Sequence, residues 1–218
     1  MMIRISRVHF PVTALGPGRR LGIWFQGCGI RCKGCLSIDT WGEGAACTVD
    51  AVFGRLESWI GEAEGITVTG GEPFDQPDAL TALLKELKCR TTADILVYSG
   101  YPVEKLASHP GLSDGTIDAL ISDPFDARAQ QTLALRGSDN QRLHLLTPLG
   151  KRRFACYNRE QTEKRALDIM FDEDGTIWMA GIPARDDLMR LDKWLRRPEQ
   201  DVLTGALSTN GKAGSAPE

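Results

Sequence analysis

The chain of 218 residues is short of the features that mark a membrane or nucleic-acid protein. It has no apolar run approaching the roughly 20 residues of a transmembrane helix. Its first residues, Met-Met-Ile-Arg-Ile-Ser-Arg, lack the apolar centre of a secretory leader. Basic charge is not in excess: 26 Lys and Arg against 29 Asp and Glu give a net charge of −3, which offers no surface to a phosphate backbone. The groups Lys151-Arg152-Arg153 and Arg196-Arg197 read as solvated faces. Histidine is scarce, and His9, His109 and His144 have no partner at ligand spacing, so core or surface roles are expected. Internal repeats and low-complexity blocks are lacking. With 42% hydrophobic and 25% charged residues the composition is that of an ordinary soluble domain. A cytoplasmic location is expected, where thiols stay reduced.

Cysteine is the exception in its placement. Three of the six cysteines fall within eight residues, Cys28-Gly-Ile-Arg-Cys32-Lys-Gly-Cys35. Thiolates this dense suit a soft metal or an iron–sulfur cluster. A [4Fe–4S] cluster takes four cysteines, so three leave one iron open, and an open metal position marks chemistry. Gly27, Gly29 and Gly34 would let the loop bend around it. A structural zinc site is the alternative, with Cys47, His9 or Cys89 as fourth ligand, but no second Cys-x2-Cys pair is present. A disulfide framework suits smaller secreted chains. Cys47, Cys89 and Cys156 are expected to be buried and inert.

Along the chain, Ile3, Ile5, Val8 and Phe10 suggest a first strand and Gly16-Pro17-Gly18 a turn. Leu21 to Phe25 reads as a buried strand carrying the cysteine loop at its end. Thr48 is placed to cap a helix with Val49, Val52, Phe53, Leu56 and Ile60 on one face. Gly65 to Thr69 is a second buried strand and runs into Gly70-Gly71-Glu72-Pro73. A helix from about Pro77 would present Leu80, Leu83, Leu84 and Leu87. Asp94 to Tyr98, Thr116 to Ile121 and Leu143 to Leu146 are further strands, with a short helix over Pro102 to Ser108. Leu167 to Phe171 and Thr176 to Met179 form a hairpin about Asp172-Glu173-Asp174-Gly175. Asp186 to Arg197 reads as an amphipathic helix with Leu188, Leu191 and Leu195, and the residues from Pro198 onward as a disordered tail.

Strands alternating with helices imply parallel strands and right-handed crossovers, with working groups on the loops after the strands. The cysteine loop, the Gly-Gly-Glu-Pro loop, Ser99-Gly100 and Ser122-Asp123 each follow a strand and should share one face. Two glycines after a strand let the main chain approach a ligand, and Glu72 could receive an ammonium group or tie down the loop. Asp123, before Pro124, reads as a turn residue ahead of a general base. Trp178 and Met179 are expected to pack the hairpin.

Cys28-x3-Cys32-x2-Cys35 followed by Gly-Gly-Glu-Pro resembles the radical S-adenosylmethionine (SAM) superfamily, and within it the glycyl-radical activating proteins, especially those of anaerobic ribonucleotide reductase. The resemblance runs through Gly16-Pro17-Gly18 with Arg20, Phe25-Gln26-Gly27-Cys28, Thr40-Trp41, Tyr98-Ser99-Gly100-Tyr101 and Arg136 to Arg142. It implies a truncated, TIM-type (β/α) barrel of parallel strands over residues 1–160, a hairpin and helix extension over 161–197, and a tail over 198–218. It implies a [4Fe–4S] cluster on Cys28, Cys32 and Cys35 whose open iron binds SAM. Gly70, Gly71, Glu72 and Pro73 would then meet the methionine amino group, Gly34 and Leu36 the adenine, and Ser99 and Ser122 the ribose or carboxylate. Reductive cleavage of SAM to a 5′-deoxyadenosyl radical would need a flavodoxin or ferredoxin donor. The target would be a glycyl-radical enzyme; a tailoring enzyme acting on a peptide or small molecule is the second reading, and a non-catalytic iron–sulfur or zinc protein the third. The sequence departs from the resemblance at Ser122-Asp123, where the activating proteins usually carry Asp-Gly, and at Leu15, where they often have Asp.

Overall fold

The computed structural model describes residues 1–159, 167–171 and 175–184 and the single positions 187, 190 and 193. The expected helix leucines Leu188, Leu191 and Leu195, the tail from Pro198, and residues 172–174 of the expected hairpin turn lie outside the described residues. The chain forms two compact units, residues 1–184 and 185–218, and every described strand belongs to the first.

In chain order the elements are β1 (Met2–Ile3), β2 (Ile5–Val12), β3 (Arg20–Phe25), β4 (Cys47–Thr48), α1 (Val49–Ile60), β5 (Gly65–Gly70), α2 (Pro77–Arg90) and β6 (Asp94–Tyr98). They continue with α3 (Val103–Leu106), β7 (Ala119–Ser122), β8 (Arg142–Leu145), α4 (Pro148–Phe154), β9 (Leu167–Phe171) and β10 (Ile177–Gly181). The helices start where chemistry allows it. The Thr48 hydroxyl accepts from the Ala51 amide at the head of α1, a cap worth about 1 kcal/mol. Pro77 opens α2, where a missing N–H costs nothing.

The main sheet runs β2-β3-β5-β6-β7-β8. Its inner strands β3, β5, β6 and β7 are parallel, and the two edges are antiparallel. The α/β class and a mostly parallel sheet are as expected, but a wholly parallel sheet is not. Parallel neighbours need a crossover connection, usually helical, as α1 and α2 provide. No helix lies between β2 and β3 or between β7 and β8, so those pairs turn back on themselves. Among the described residues no strand joins β2 to β8, and the sheet does not close into a barrel.

One face of the sheet receives α1 and α2. Val52, Phe53, Leu56, Leu80, Leu83, Leu84 and Leu87 pack there on Leu21, Ile23, Phe25, Ile66, Val68, Ile95 and Val97. Each fully buried leucine stabilises the fold by roughly 1.5–3 kcal/mol. Leu96, Ala119 and Ile121, which alternate to the other face, cover Phe154 of α4. At the far end of that face, Ala180 of the β9–β10 hairpin packs on Val12, Leu15 and Trp24. The expected fourth strand begins only at Ala119, because Thr116 is held in a turn by the Asp114 carboxylate.

The N-terminal ends of the inner strands are locked by charge. Arg20, fully buried, donates to Asp94 Oδ1 at 2.7 Å, to Thr67 Oγ1 at 2.7 Å and to the Ile66 carbonyl at 2.6 Å. Arg153 donates to the other Asp94 oxygen at 2.9 Å. The basic group on α4 is therefore not wholly a solvated face: Lys151 and Arg152 are exposed, while Arg153 reaches inward.

Candidate functional site

Because β3, β5, β6 and β7 are parallel neighbours, the loops leaving their C-terminal ends converge on one edge. Cys28, Cys32 and Cys35 stand there, half-buried with free thiols. The loop turns through positive φ at Gly27 (98°), Arg31 (53°) and Gly34 (81°). Gly29 serves differently from the expectation: its amide donates to Asp75 Oδ2 at 2.7 Å, and a Cβ there would lie 3.1 Å from that oxygen.

Burial pushes the Cys32 and Cys35 thiols up, and the charges of neighbouring cysteines push the same way. The backbone at Phe125 hydrogen-bonds the Cys32 sulfur, and the Ser37 backbone and Trp41 side chain hydrogen-bond that of Cys35, each opposing the rise. Three thiols on one loop, each within electrostatic reach of another and none in a disulfide, fit a cluster held by three cysteines. The fourth-ligand candidates of the zinc reading lie elsewhere, Cys47 on β4, Cys89 on α2 and His9 on β2. Among the described residues no three His, Cys, Asp or Glu side chains gather around a single metal-ion position. Cys89 and Cys156 are exposed and Cys47 half-buried, so the expectation of three buried cysteines is corrected.

The Gly-Gly-Glu-Pro segment is locked to the cysteine loop by main-chain contacts. The Gly71 amide donates to the Phe25 carbonyl at 2.9 Å, and the Glu72 amide to the Gly27 carbonyl at 2.8 Å. A Cβ on Gly71 would come within 2.0 Å of the Gly27 oxygen, so only glycine allows this crossing. Gly70, at φ 104°, ends β5 against Phe25, and Pro73 opens a 3-10 turn over Pro73–Asp75.

Glu72 is 1% exposed and ties down the loop, the second of its two expected uses. Its Oε1 accepts from the Phe74 amide (3.0 Å) and the Ser99 hydroxyl (2.9 Å), and Oε2 from the Gly100 amide (2.8 Å). Burial pushes its carboxyl up to about 7 against these hydrogen bonds. The structure thus brings Ser99, Glu72, Gly71 and the cysteine loop together. Gly34 faces the loop after β7, where Phe125 and Ala127 stand 3.5 and 3.6 Å from its would-be Cβ. Leu36 is 39% exposed on the rim.

Ser122 closes the row at the end of β7. Its hydroxyl donates to Asp123 Oδ2 at 2.7 Å and lies 2.9 Å from His144 Nε2. Asp123 is a turn residue at φ 83°, a backbone that favours glycine and that Asp tolerates. The departure from Asp-Gly therefore keeps the turn. Arg142 donates to both Asp123 oxygens and both Glu104 oxygens. Burial would raise the Asp123 carboxyl, but the hydrogen bonds from Arg142 and Ser122 prevail and hold it low.

Sequence reasoning gave no weight to Asp75 and Gln76. Asp75 Oδ1 accepts from the Tyr101 hydroxyl at 2.7 Å while Oδ2 holds Gly29. Gln76 bonds the main chain of Arg4 in both directions and the Gln26 carbonyl. Their one sequence signal was position, directly behind Gly-Gly-Glu-Pro. Among the described residues no helix is long and apolar enough to cross a membrane.

Residues 14–144 match the family described as 4Fe-4S single cluster domain. The chain is 30% identical over 135 residues to an anaerobic ribonucleoside-triphosphate reductase-activating protein of Enterobacteria phage T4, covering 59% of this chain and 85% of the relative. With the protein of that name from Vibrio cholerae serotype O1 it shares 29% over 150 residues, 64% of this chain and 96% of the relative. With a pyruvate formate-lyase-activating enzyme of Listeria monocytogenes it shares 37% over 100 residues, 42% of this chain and 40% of that enzyme. The matched region contains the cysteine loop, the Gly-Gly-Glu-Pro crossing and the strands that carry them, and on that ground the chain belongs to the 4Fe-4S single cluster domain family, among its radical SAM activating enzymes.

Proposed function

We propose that Cys28, Cys32 and Cys35 hold a [4Fe–4S] cluster with one iron left for SAM, and that the chain installs a glycyl radical on a partner enzyme of the anaerobic ribonucleotide reductase type. When bound, cluster and SAM supply the reductive cleavage that yields methionine and a 5′-deoxyadenosyl radical for hydrogen abstraction. The chain's own residues bind, orient and exclude water. Gly70 to Pro73 present main chain to the methionine amino group, with Glu72 fixing that main chain through Ser99 and Gly100. Gly34 and the apolar rim residue Leu36 lie toward the adenine, and Ser99 and Ser122 toward the ribose or carboxylate. The sheet acts as a partial (β/α) barrel whose C-terminal edge is the working edge, and a flavodoxin or ferredoxin supplies the electron.

The observation that carries this reading is the crossing of Gly71 on Gly27, which joins the thiol-bearing loop to the Gly-Gly-Glu-Pro loop. The relatives' names support the choice of partner. The test is anaerobic reconstitution with iron and sulfide, then SAM and dithionite. 5′-Deoxyadenosine is expected, followed by a glycyl-radical EPR signal when the reductase is added. A cluster capped by a fourth side chain, or reduction without deoxyadenosine, overturns the proposal; a signal on pyruvate formate-lyase in place of the reductase overturns the choice of target.

A further inference from the structure

The β9–β10 hairpin lies beyond the residues that match the family, yet it is built into the fold. Its Asp168 carboxylate accepts from the Thr13 amide and hydroxyl, both at 2.7 Å, and from the Ala14 amide at 2.8 Å. Ala180 is buried against Leu15. The hairpin also carries Trp178, whose ring centre lies 4.4 Å from the Arg7 guanidinium carbon. Trp24 flanks the same guanidinium at 5.2 Å.

Arg7 stands on β2 opposite Trp24, next to the end of β3 from which the cysteine loop hangs. It is 6% exposed and forms an ion pair with Asp39, its one carboxylate partner among the described residues. Asp39 sits in the 3-10 turn Ile38–Thr40, directly behind the cysteine loop. The Gly27 amide donates to the Thr40 carbonyl at 2.8 Å, and Gln26 Nε2 to the Gly42 carbonyl at 2.8 Å. The flanks of this turn bring the Ser37 backbone and the Trp41 side chain to the Cys35 sulfur. Hydrogen bonds to cluster sulfurs and net charge nearby both set an iron–sulfur potential.

We infer that Trp178 is a positioning residue: through Arg7 and Asp39 it holds the turn behind the cysteine loop, so that the C-terminal hairpin helps to set the potential of the cluster. The inference rests on the cluster reading above. Arg7 also offsets the Asp39 charge beside Cys35, and removing it leaves a negative charge that opposes an incoming electron.

Two measurements test it. In the cluster-free protein, hydrogen exchange at Gly27, Thr40 and Trp41 should quicken at least severalfold in Trp178→Leu, with β6 unchanged, and Trp178→Phe should restore protection. In the reconstituted protein, an EPR-monitored redox titration of Arg7→Gln should show the ratio of reduced to oxidised cluster at fixed potential falling about tenfold, equal to about 59 mV for one electron. Asp39→Asn, which keeps the shape and removes the charge, should shift the potential the opposite way. Unchanged exchange in Trp178→Leu, or potentials equal to wild type in both charge variants, overturns the inference and leaves the cluster reading intact. A wild-type protein that takes up no cluster removes the cluster reading, and the redox half of this inference with it.

Discussion

The carbonyl oxygen of Gly27 occupies the space a side chain on Gly71 would need, 2.0 Å from the would-be Cβ. Both groups are backbone, so neither can swing aside. Gly71→Ala should therefore displace the cysteine loop and lose most iron uptake, read as absorbance after anaerobic reconstitution. Gly54→Ala is the matched control. It lies within α1 with nothing within 4 Å of its would-be Cβ, and should keep full uptake while raising stability by about 0.5–1 kcal/mol.

Glu72 makes stability depend on pH in an unusual direction for a carboxylate. Burial lifts its folded value from 4.5 to about 7. Between those limits the unfolded chain releases the proton while the folded chain keeps it, so stability falls as pH rises and levels off above about 7. The full effect is about 3 kcal/mol. Urea unfolding of the cluster-free protein across that window should show the decline, and Glu72→Gln should remove this part of it.

Asp75 holds Gly29 and Tyr101 at once. The hydrogen bond to Asp75 is the first cause that pushes the Tyr101 phenol up to about 12, with burial second. Asp75→Ala should bring that phenol back towards its ordinary value of about 10, visible by ultraviolet titration. The same variant should take up iron more slowly, since the Gly29 amide loses its acceptor.

Arg20 and Asp94 test the opposite end of the sheet. Both are buried and paired at 2.7 Å, and cutting a buried ion pair costs about 3–5 kcal/mol. Arg20→Met should lower the thermal midpoint accordingly. Adding Asp94→Leu should recover part of the loss, because Arg153, partly exposed, can turn to water. Iron uptake by the folded fraction should be unaffected in both.

What the sequence made legible was whatever repeats or caps locally. Leu80, Leu83, Leu84 and Leu87 fall on one helical face by spacing alone, and Thr48 announces the start of α1. The glycine at 175 and the alternation around it mark the hairpin. The convergence of four loops followed from parallel strands. What failed depended on partners far along the chain. Nothing near β2 or β8 says which way they run, since direction is decided by the lack of a crossover helix. Asp75 acts on a residue 46 positions away and Arg7 on one 32 positions away. Asp123 read correctly as a turn residue, because an Asp before Pro carries its own local signal. The short α4 was missed: it is seven residues long, and Gly150 within it reads as a breaker. That glycine is there because a Cβ would come 1.9 Å from the Asp118 carbonyl oxygen.

The loop that carries the thiols gains its shape from Gly71 and Asp75, which the ribosome releases only after the cysteines themselves. A nascent chain halted before that point exposes three reactive sulfurs with nothing to shape them. On the proposed cluster reading, the loop can take the shape that seats a cluster only once β5 and the turn after it have left the exit tunnel.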